Sequence, residues 1–266
     1  AIPHKNITNI AEITEYKYEE TVVPKDRDSK SDNMEENIPE DKDLPDYKKD
    51  KELAAKSLGI SRATLYRKLE KYKDKIEIET GFEVEYLPGQ EENLLELKNE
   101  TDKLVLGQHF IYDDKNELKI FRYHEFSDSD ILRYAEYIKT AIEKNIPNII
   151  AHPDLYMLSR TNFGKNEEKA THIICSTAEK YEIPIEINLS DPVMYIRGKK
   201  EKIDYPNKKF WKIASEYKDL KVLYGIDAHF REQIELYEKA IEVANKLIGQ
   251  DIIDKLHFCN ENLEAE

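Results

Sequence analysis

The chain has 266 residues, and its 41 Lys+Arg against 55 Asp+Glu give a formal net charge of -14. That length accommodates one large domain, or a medium domain with a small appendage, and the acidic balance leaves any nucleic-acid binding dependent on a local basic patch. Cys175 and Cys259 stand in unrelated contexts without C-x-x-C spacing, which argues against a disulfide framework and a cysteine zinc site and fits a reducing cytoplasm.

Residues 1–50 are rich in Asp, Glu, Lys, Asn and Pro and poor in large apolar side chains. Such a segment cannot bury enough surface to offset chain entropy. It is expected to be an acidic, largely disordered linker, with at most a short helix over 7–18. It has no signal-peptide core, and no apolar run in the chain approaches the roughly 20 residues needed to span a bilayer. The sequence therefore predicts a soluble cytoplasmic protein with no membrane partner.

The composition changes at Lys51. Leu53, Ala54 and Leu58 give one short helix an apolar face, Gly59 supplies a tight turn, and Ser61 caps a second helix with Leu65 and Leu69 facing inward. From Lys51 to Lys75 there are eight basic residues (Lys51, Lys56, Arg62, Arg67, Lys68, Lys71, Lys73, Lys75) and three acidic ones (Glu52, Glu70, Asp74), a local balance of +5 in an acidic chain. The run Ala54-Ala55, Leu58-Gly59-Ile60-Ser61-Arg62 and Thr64-Leu65-Tyr66-Arg67-Lys68-Leu69 resembles the Fis-type helix-turn-helix at the C-terminal end of bacterial enhancer-binding transcription activators. The resemblance implies a DNA partner for residues 51–73. Arg62, Thr64 and Arg67 would face bases in the major groove, and Ser61, Lys68 and Lys71 would face phosphates. A charged helical hairpin without DNA is the other reading of the same residues.

From Lys75 onward strands alternate with helices. Ile76, Ile78, Thr80, Phe82, Val84 and Tyr86 have the period of a strand. The pattern then predicts a helix over Glu91–Glu100, a strand over Leu104–Phe110, a helix over Ser129–Lys144, a strand over Asn148–Ala151 and a helix over Glu167–Tyr181. A strand over Pro184–Leu189, a helix over Lys208–Tyr217, a strand over Lys221–Ile226 and a helix over Glu232–Ile248 complete the series. Strands separated by helices imply right-handed crossovers and an α/β fold with about five mainly parallel strands.

In such folds reacting groups gather at the C-terminal ends of the strands. Glu83, His109 and His152 lie at three of these ends, and Asp227 and His229 share a fourth, whereas His124, His172 and His257 fall in a loop, a helix and the C-terminal tail. Imidazole and carboxylate together suit zinc, manganese or iron.

The motifs Gly81-Phe82-Glu83-Val84-Glu85-Tyr86, Gly107-Gln108-His109, Ala151-His152-Pro153-Asp154, Glu186-Ile187-Asn188 and Gly225-Ile226-Asp227-Ala228-His229 resemble the polymerase and histidinol phosphatase (PHP) family, in its histidinol-phosphatase-like branch. That resemblance implies a distorted seven-stranded (β/α) barrel with up to three metal ions, hydrolysing phosphomonoesters or related esters. By it, Glu83, His109 and His152 would hold one ion, Glu83 and Asp227 part of a second, and His229 part of a third. These five residues are the expected catalytic set. Arg160 and Arg197 are phosphate-binding candidates, because a guanidinium fork matches phosphate geometry.

The family opens with a strand bearing His-x-His, whereas residues 1–74 contain His4 as their sole histidine. The expectation is therefore an incomplete PHP-type barrel over 75–266, lacking its N-terminal portion, beside a helix-turn-helix over 51–74 and the linker over 1–50. One to three divalent ions are expected, the surviving ligands being sufficient for one, with a phosphorylated small molecule as partner. Unpaired sheet edges and the helix-turn-helix both favour a homodimer. Three functions stay open: a metal-dependent phosphoesterase, a DNA-binding regulator whose barrel senses without turnover, and a gene fusion with no integrated function.

Overall fold

The computed structural model describes residues 17–18, 21–22, 81–121, 124–160, 162–228 and 231–259. The chain divides into two units, Thr14–Thr80 and a second made of Ala1–Ile13 with Gly81–Glu266. In the first unit, β1 (Lys17–Tyr18) and β2 (Thr21–Val22) pair antiparallel, Lys17 with Val22 and Tyr18 with Thr21. Lys17 and Tyr18, at the end of the stretch expected to be at most helical, are thus extended. The helix-turn-helix over 51–73 lies outside the described residues.

The second unit is built on a six-stranded sheet of order β10-β9-β8-β7-β4-β3, parallel throughout. Its expected strands are β3 (Gly81–Val84), β4 (Lys103–Leu106), β7 (Ile149–Ile150), β8 (Ile185–Asn188) and β9 (Lys221–Gly225). Between them run α1 (Glu91–Glu100), α2 (Asp128–Glu143), α3 (Lys165–Lys180), the short α4 (Ser190–Ile196) and α5 (Lys208–Ala214). After β9 come α6 (Arg231–Ile234), α7 (Tyr237–Ile248) and α8 (Gln250–Ile253).

The structure adds α4 and α8 to the expected elements and departs from them in further places. The strand expected to run to Phe110 stops at Leu106, and β5 (Phe110–Tyr112) instead pairs antiparallel with β6 (Leu118–Ile120). Asn116, at φ 62°, takes the left-handed conformation that this short turn needs and that asparagine tolerates. The helix expected over Glu232–Ile248 is interrupted between Ile234 and Tyr237. Finally, His257–Phe258 in the expected tail forms β10, paired with Lys221 and Val222 of β9 and held by a stack of Phe258 on Tyr224 with centroids 4.8 Å apart. Two residues are too few to show a period, so tertiary pairing decides that strand.

Register separates the sheet into two faces. Val84, Leu104, Leu106, Ile150, Ile185, Ile187 and Val222 join the large apolar core with the helices that cover one face. Burying these side chains is the main stabilising term of the unit, at about 1.5–3 kcal/mol for each large residue. α2 lies against α3 across that face. The start of α2 is fixed by a capping box, in which Ser127 accepts from the Asp130 backbone and Asp130 accepts from the Ser127 backbone. Burial pushes the Asp130 carboxyl up, but Lys119, 2.8 Å away, and the Ser127 contacts outweigh it and leave the group below its usual range.

The opposite face follows from the pairs Glu83 with Val105, Val105 with Ile149, and Glu186 with Leu223. Its middle is a small apolar patch of Val105, Ile149 and Ala151, and carboxylates flank it. The sheet therefore presents acidic groups on the face its long helices leave uncovered. Among the described residues no helix is long and apolar enough to cross a membrane.

Candidate metal centre

Glu83, His109 and His152 come from three neighbouring strands, β3, β4 and β7, and each offers a ligand atom within 4.8 Å of the others. His152 Nε2 lies 2.9 Å from Glu83 Oε1, with both side chains 8% exposed. The His109 and His152 rings are 4.5 Å apart between centroids. Among the described residues this is the group that meets the distance; Asp227 is not part of it.

Each member is held by its surroundings. Gln108, fully buried, extends the pairing of β3 and β4: its Oε1 accepts from the Tyr86 backbone and its Nε2 donates to the Tyr86 carbonyl. The next residue, His109, is turned toward Glu85, whose Oε1 is 2.6 Å from His109 Nδ1 and whose Oε2 accepts from the His109 backbone at 2.8 Å. Burial raises the Glu85 carboxyl above its usual range, and pairing with His109 opposes that rise.

His152 sits at φ 32° and Asp227 at φ 48°, left-handed conformations that cost an ordinary residue about 1–3 kcal/mol. The surrounding structure holds His152 there: its backbone N–H donates to Glu186 Oε2 at 2.9 Å, and its carbonyl accepts from Leu155 at the start of a 3-10 turn. Glu186 is completely buried, and Asn188 donates to the same oxygen at 3.2 Å. Burial pushes the Glu186 carboxyl up to about 7, against the pull of His152, and the charges of Asp227 and Glu83 add to the rise. Asp154 is likewise pushed up to about 6 by burial, although the Asn207 backbone N–H donates to its Oδ2 at 2.6 Å.

Two glycines leave room for these acids. A Cβ on Gly107 would lie 1.8 Å from Glu83 Oε1, and one on Gly225 would lie 1.6 Å from Glu186 Oε1. In each case only a hydrogen fits against the carboxylate of the adjacent strand.

The donor set suits a divalent cation. Two imidazoles and a carboxylate are the ligand types of zinc, manganese and iron sites, and three protein ligands leave coordination positions open. The His109 ring has its Nδ1 against Glu85, so Nε2 is the nitrogen through which this residue would bind an ion. Among the described residues, His152 Nδ1 and Glu186 Oε1 are buried without a hydrogen-bond partner, as are Asp154 Oδ1, Tyr205 Oη and Trp211 Nε1. The first two lie at this end of the sheet, where polar atoms lack partners that buried groups ordinarily have.

The remaining sequence candidates fall elsewhere. His229 lies outside the described residues, as do Ser61, Arg62, Thr64, Arg67, Lys68 and Lys71. Arg160 is engaged on every side: Nε with Glu167 at 2.6 Å, Nη1 with the Phe126 carbonyl at 2.7 Å, and Nη2 with Asp128 at 2.5 Å. It ties the start of α2 to the start of α3, a structural task that uses the donors a phosphate would need. Arg197 is exposed at the C-terminal end of α4. Glu85 and Glu186 were not among the sequence candidates. The signal for Glu85 was its spacing of two from Glu83, which on an extended segment puts both side chains on one side.

Comparison with known proteins bears both on the segment read from the sequence as a helix-turn-helix and on the α/β unit. Residues 50–72 match the family model of the bacterial regulatory protein, Fis family. No curated protein matches the chain in sequence. Two solved structures share its fold. A provisionally assigned histidinol phosphatase from Listeria monocytogenes is 22% identical, with a TM-score of 0.50 over 66% of this chain and 75% of that one. The histidinol phosphate phosphatase of Lactococcus lactis, solved with zinc, L-histidinol and phosphate, is 15% identical, with a TM-score of 0.50 over 74% of this chain and 73% of that one. The chain thus carries a Fis-type helix-turn-helix sequence and, beyond it, the α/β fold of the histidinol phosphatases.

Proposed function

We propose that residues 75–266 form a metal-dependent phosphoesterase that hydrolyses a phosphorylated small molecule in the cytoplasm. The observation that carries this reading is the convergence of Glu83, His109 and His152 at adjacent strand ends of a histidinol-phosphatase fold. The zinc, L-histidinol and phosphate held by the Lactococcus lactis protein support zinc as one candidate ion and a phosphomonoester as the substrate class. A divalent ion held by Glu83, His109 and His152 would supply a nucleophile from water at neutral pH and a positive charge for phosphate oxygens.

The protein's own part is positioning. Glu83 presents one oxygen beside His152, His109 is oriented by Glu85, and the His152 backbone is fixed by Glu186. Asp227 stands close enough to raise the Glu186 carboxyl, and with His229 it completes the catalytic set in this reading. Arg197, exposed and beyond β8, is the better of the two arginines for a phosphate contact, since the Arg160 donors are occupied.

The test is hydrolysis of p-nitrophenyl phosphate by the purified chain with added zinc, manganese or iron, read beside elemental analysis. Turnover with at least one equivalent of bound metal is expected. A chain that binds no metal and turns nothing over would sink the reading.

A second reading concerns residues 51–74 and is favoured by the Fis-family match. In it this segment binds duplex DNA, and the basic balance of the patch is what offsets the acidic chain. Binding is expected to fall steeply between 50 and 200 mM salt, as it does for contacts that release counterions. The double substitution Arg62→Ala/Arg67→Ala is expected to remove it in a fluorescence-anisotropy titration. Unchanged affinity in that variant would rule out the assigned contacts.

A further inference from the structure

We infer that Glu85 is the positioning residue of the triad: its carboxylate fixes the His109 ring with the proton on Nδ1, which leaves Nε2 as the nitrogen for an ion. The inference rests on the triad being the reading's metal centre, but it concerns a property of the metal-free chain.

The geometry is specific. Glu85 follows β3 by one residue and lies on the same side of the extended segment as Glu83. Its two oxygens divide the work. Oε1 faces His109 Nδ1 at 2.6 Å, while Oε2 accepts from the backbone N–H of His109 at 2.8 Å and of Phe110 at 3.3 Å. One carboxylate therefore grips the ring and the main chain of the same histidine. Oε2 accepts from two backbone N–H groups, and with Oε1 acting as an acceptor in the same way the ring nitrogen opposite it carries the hydrogen. Neutral imidazole protonated on one nitrogen carries a lone pair on the other, which is the form that binds a metal.

The division of labour also makes charge and shape inseparable. A carboxamide at this position would offer only one oxygen. Turned one way, its NH2 would face two backbone donors; turned the other, it would face the ring N–H. Glutamine therefore fills the space and fails the function, which separates a positioning role from mere packing. A rival arrangement, with a proton on Glu85 Oε1 donated to Nδ1, would place the ring hydrogen on Nε2 and close that nitrogen to an ion.

Long-range proton–nitrogen correlation spectra of the full, metal-free chain discriminate these arrangements, with the His109 signals assigned by their loss in His109→Gln. The wild type is expected to show the Nδ1–H tautomer. In Glu85→Gln and Glu85→Ala the His109 signals should move toward the Nε2–H pattern. Cobalt affinity, followed by absorption, should fall roughly 10- to 100-fold, the usual scale for loss of a ligand's supporting contact. Both variants should still melt cooperatively; if Glu85→Ala does not fold, the volume-matched Glu85→Gln carries the test. A wild-type Nε2–H tautomer, or a folded variant with unchanged tautomer and cobalt affinity, would overturn the inference. A wild type that binds no metal would instead defeat the phosphoesterase reading, while the tautomer still decides the role of Glu85.

Discussion

Replacing His152 with alanine is expected to abolish metal-dependent hydrolysis, by roughly a thousandfold or more, because the remaining Glu83 and His109 would no longer make a three-ligand site for the ion the reaction would need. His152 is the ligand with the most of its surroundings committed to it. Its side chain is 8% exposed, its Nε2 lies beside Glu83, and its backbone is fixed by a fully buried Glu186. Among the described residues no fourth ligand-type side chain joins the group whose atoms all lie within 4.8 Å of one another. Alanine at φ 32° would also be strained, so part of any loss in that variant would be folding. His152→Asn separates the two effects, since asparagine tolerates the left-handed conformation better than alanine. The expected result is a variant that melts within a few degrees of the wild type, retains little metal by elemental analysis, and shows no hydrolysis of p-nitrophenyl phosphate. Turnover close to wild type in His152→Asn would remove the triad from the chemistry.

What the sequence made legible follows from the range of the interactions involved. Strands and helices with a clear period were readable because the apolar core takes the side chains of one face, as in Ile185 and Ile187, which join it, alternating with Glu186 and Asn188, which are buried on the other face. The triad was readable for a related reason: in parallel α/β folds each strand delivers its last residues to one end of the sheet, so chemistry-bearing side chains at several strand ends must be neighbours. The β5–β6 hairpin was missed because Gly107, Gln108 and His109 continue the strand pattern while the chain turns away, a choice made by the Gln108 and Glu85 contacts with residues more than 20 positions distant. β10 depends wholly on pairing with β9 and has no local signal. The partners of Arg160 were equally invisible. Glu167 is one helical segment away and Asp128 lies 32 positions upstream, so only the packed fold reveals a structural arginine.

Glu85 and Glu186 show why supporting groups are harder to read than ligands. Both lie in motifs that already contain a better candidate or none, and neither presents its chemistry to an open site. Their roles come from backbone N–H groups at the tips of adjacent strands, which no side-chain pattern records. The acidic groups of the sheet's second face are thus of two kinds: Glu83 meets the two histidines of the candidate site, whereas Glu85 and Glu186 hold the backbone of those histidines.

Gly225→Ala is expected to destabilise the second unit by about 3 kcal/mol, the upper end of overpacking costs, and to lower its melting temperature by roughly 6–12 °C. Backbone freedom is not at issue, because Gly225 ends β9 in strand conformation, with Asn188 as its partner in β8. The difficulty is space. The added methyl would sit 1.6 Å from Glu186 Oε1 and 2.5 Å from its Cδ, and the side chain it meets is fully buried. Glu186 cannot swing aside without releasing the His152 backbone N–H, so strain at Gly225 is passed to the metal ligand. Removing the obstructing carboxylate tests the mechanism: in a Glu186→Ala background the same glycine substitution should cost less than about 1 kcal/mol, a non-additivity of the size expected for residues in contact. Chemical denaturation of the four proteins in the cycle measures it. Additive costs would show that Gly225 is required for some reason other than the close approach of Glu186.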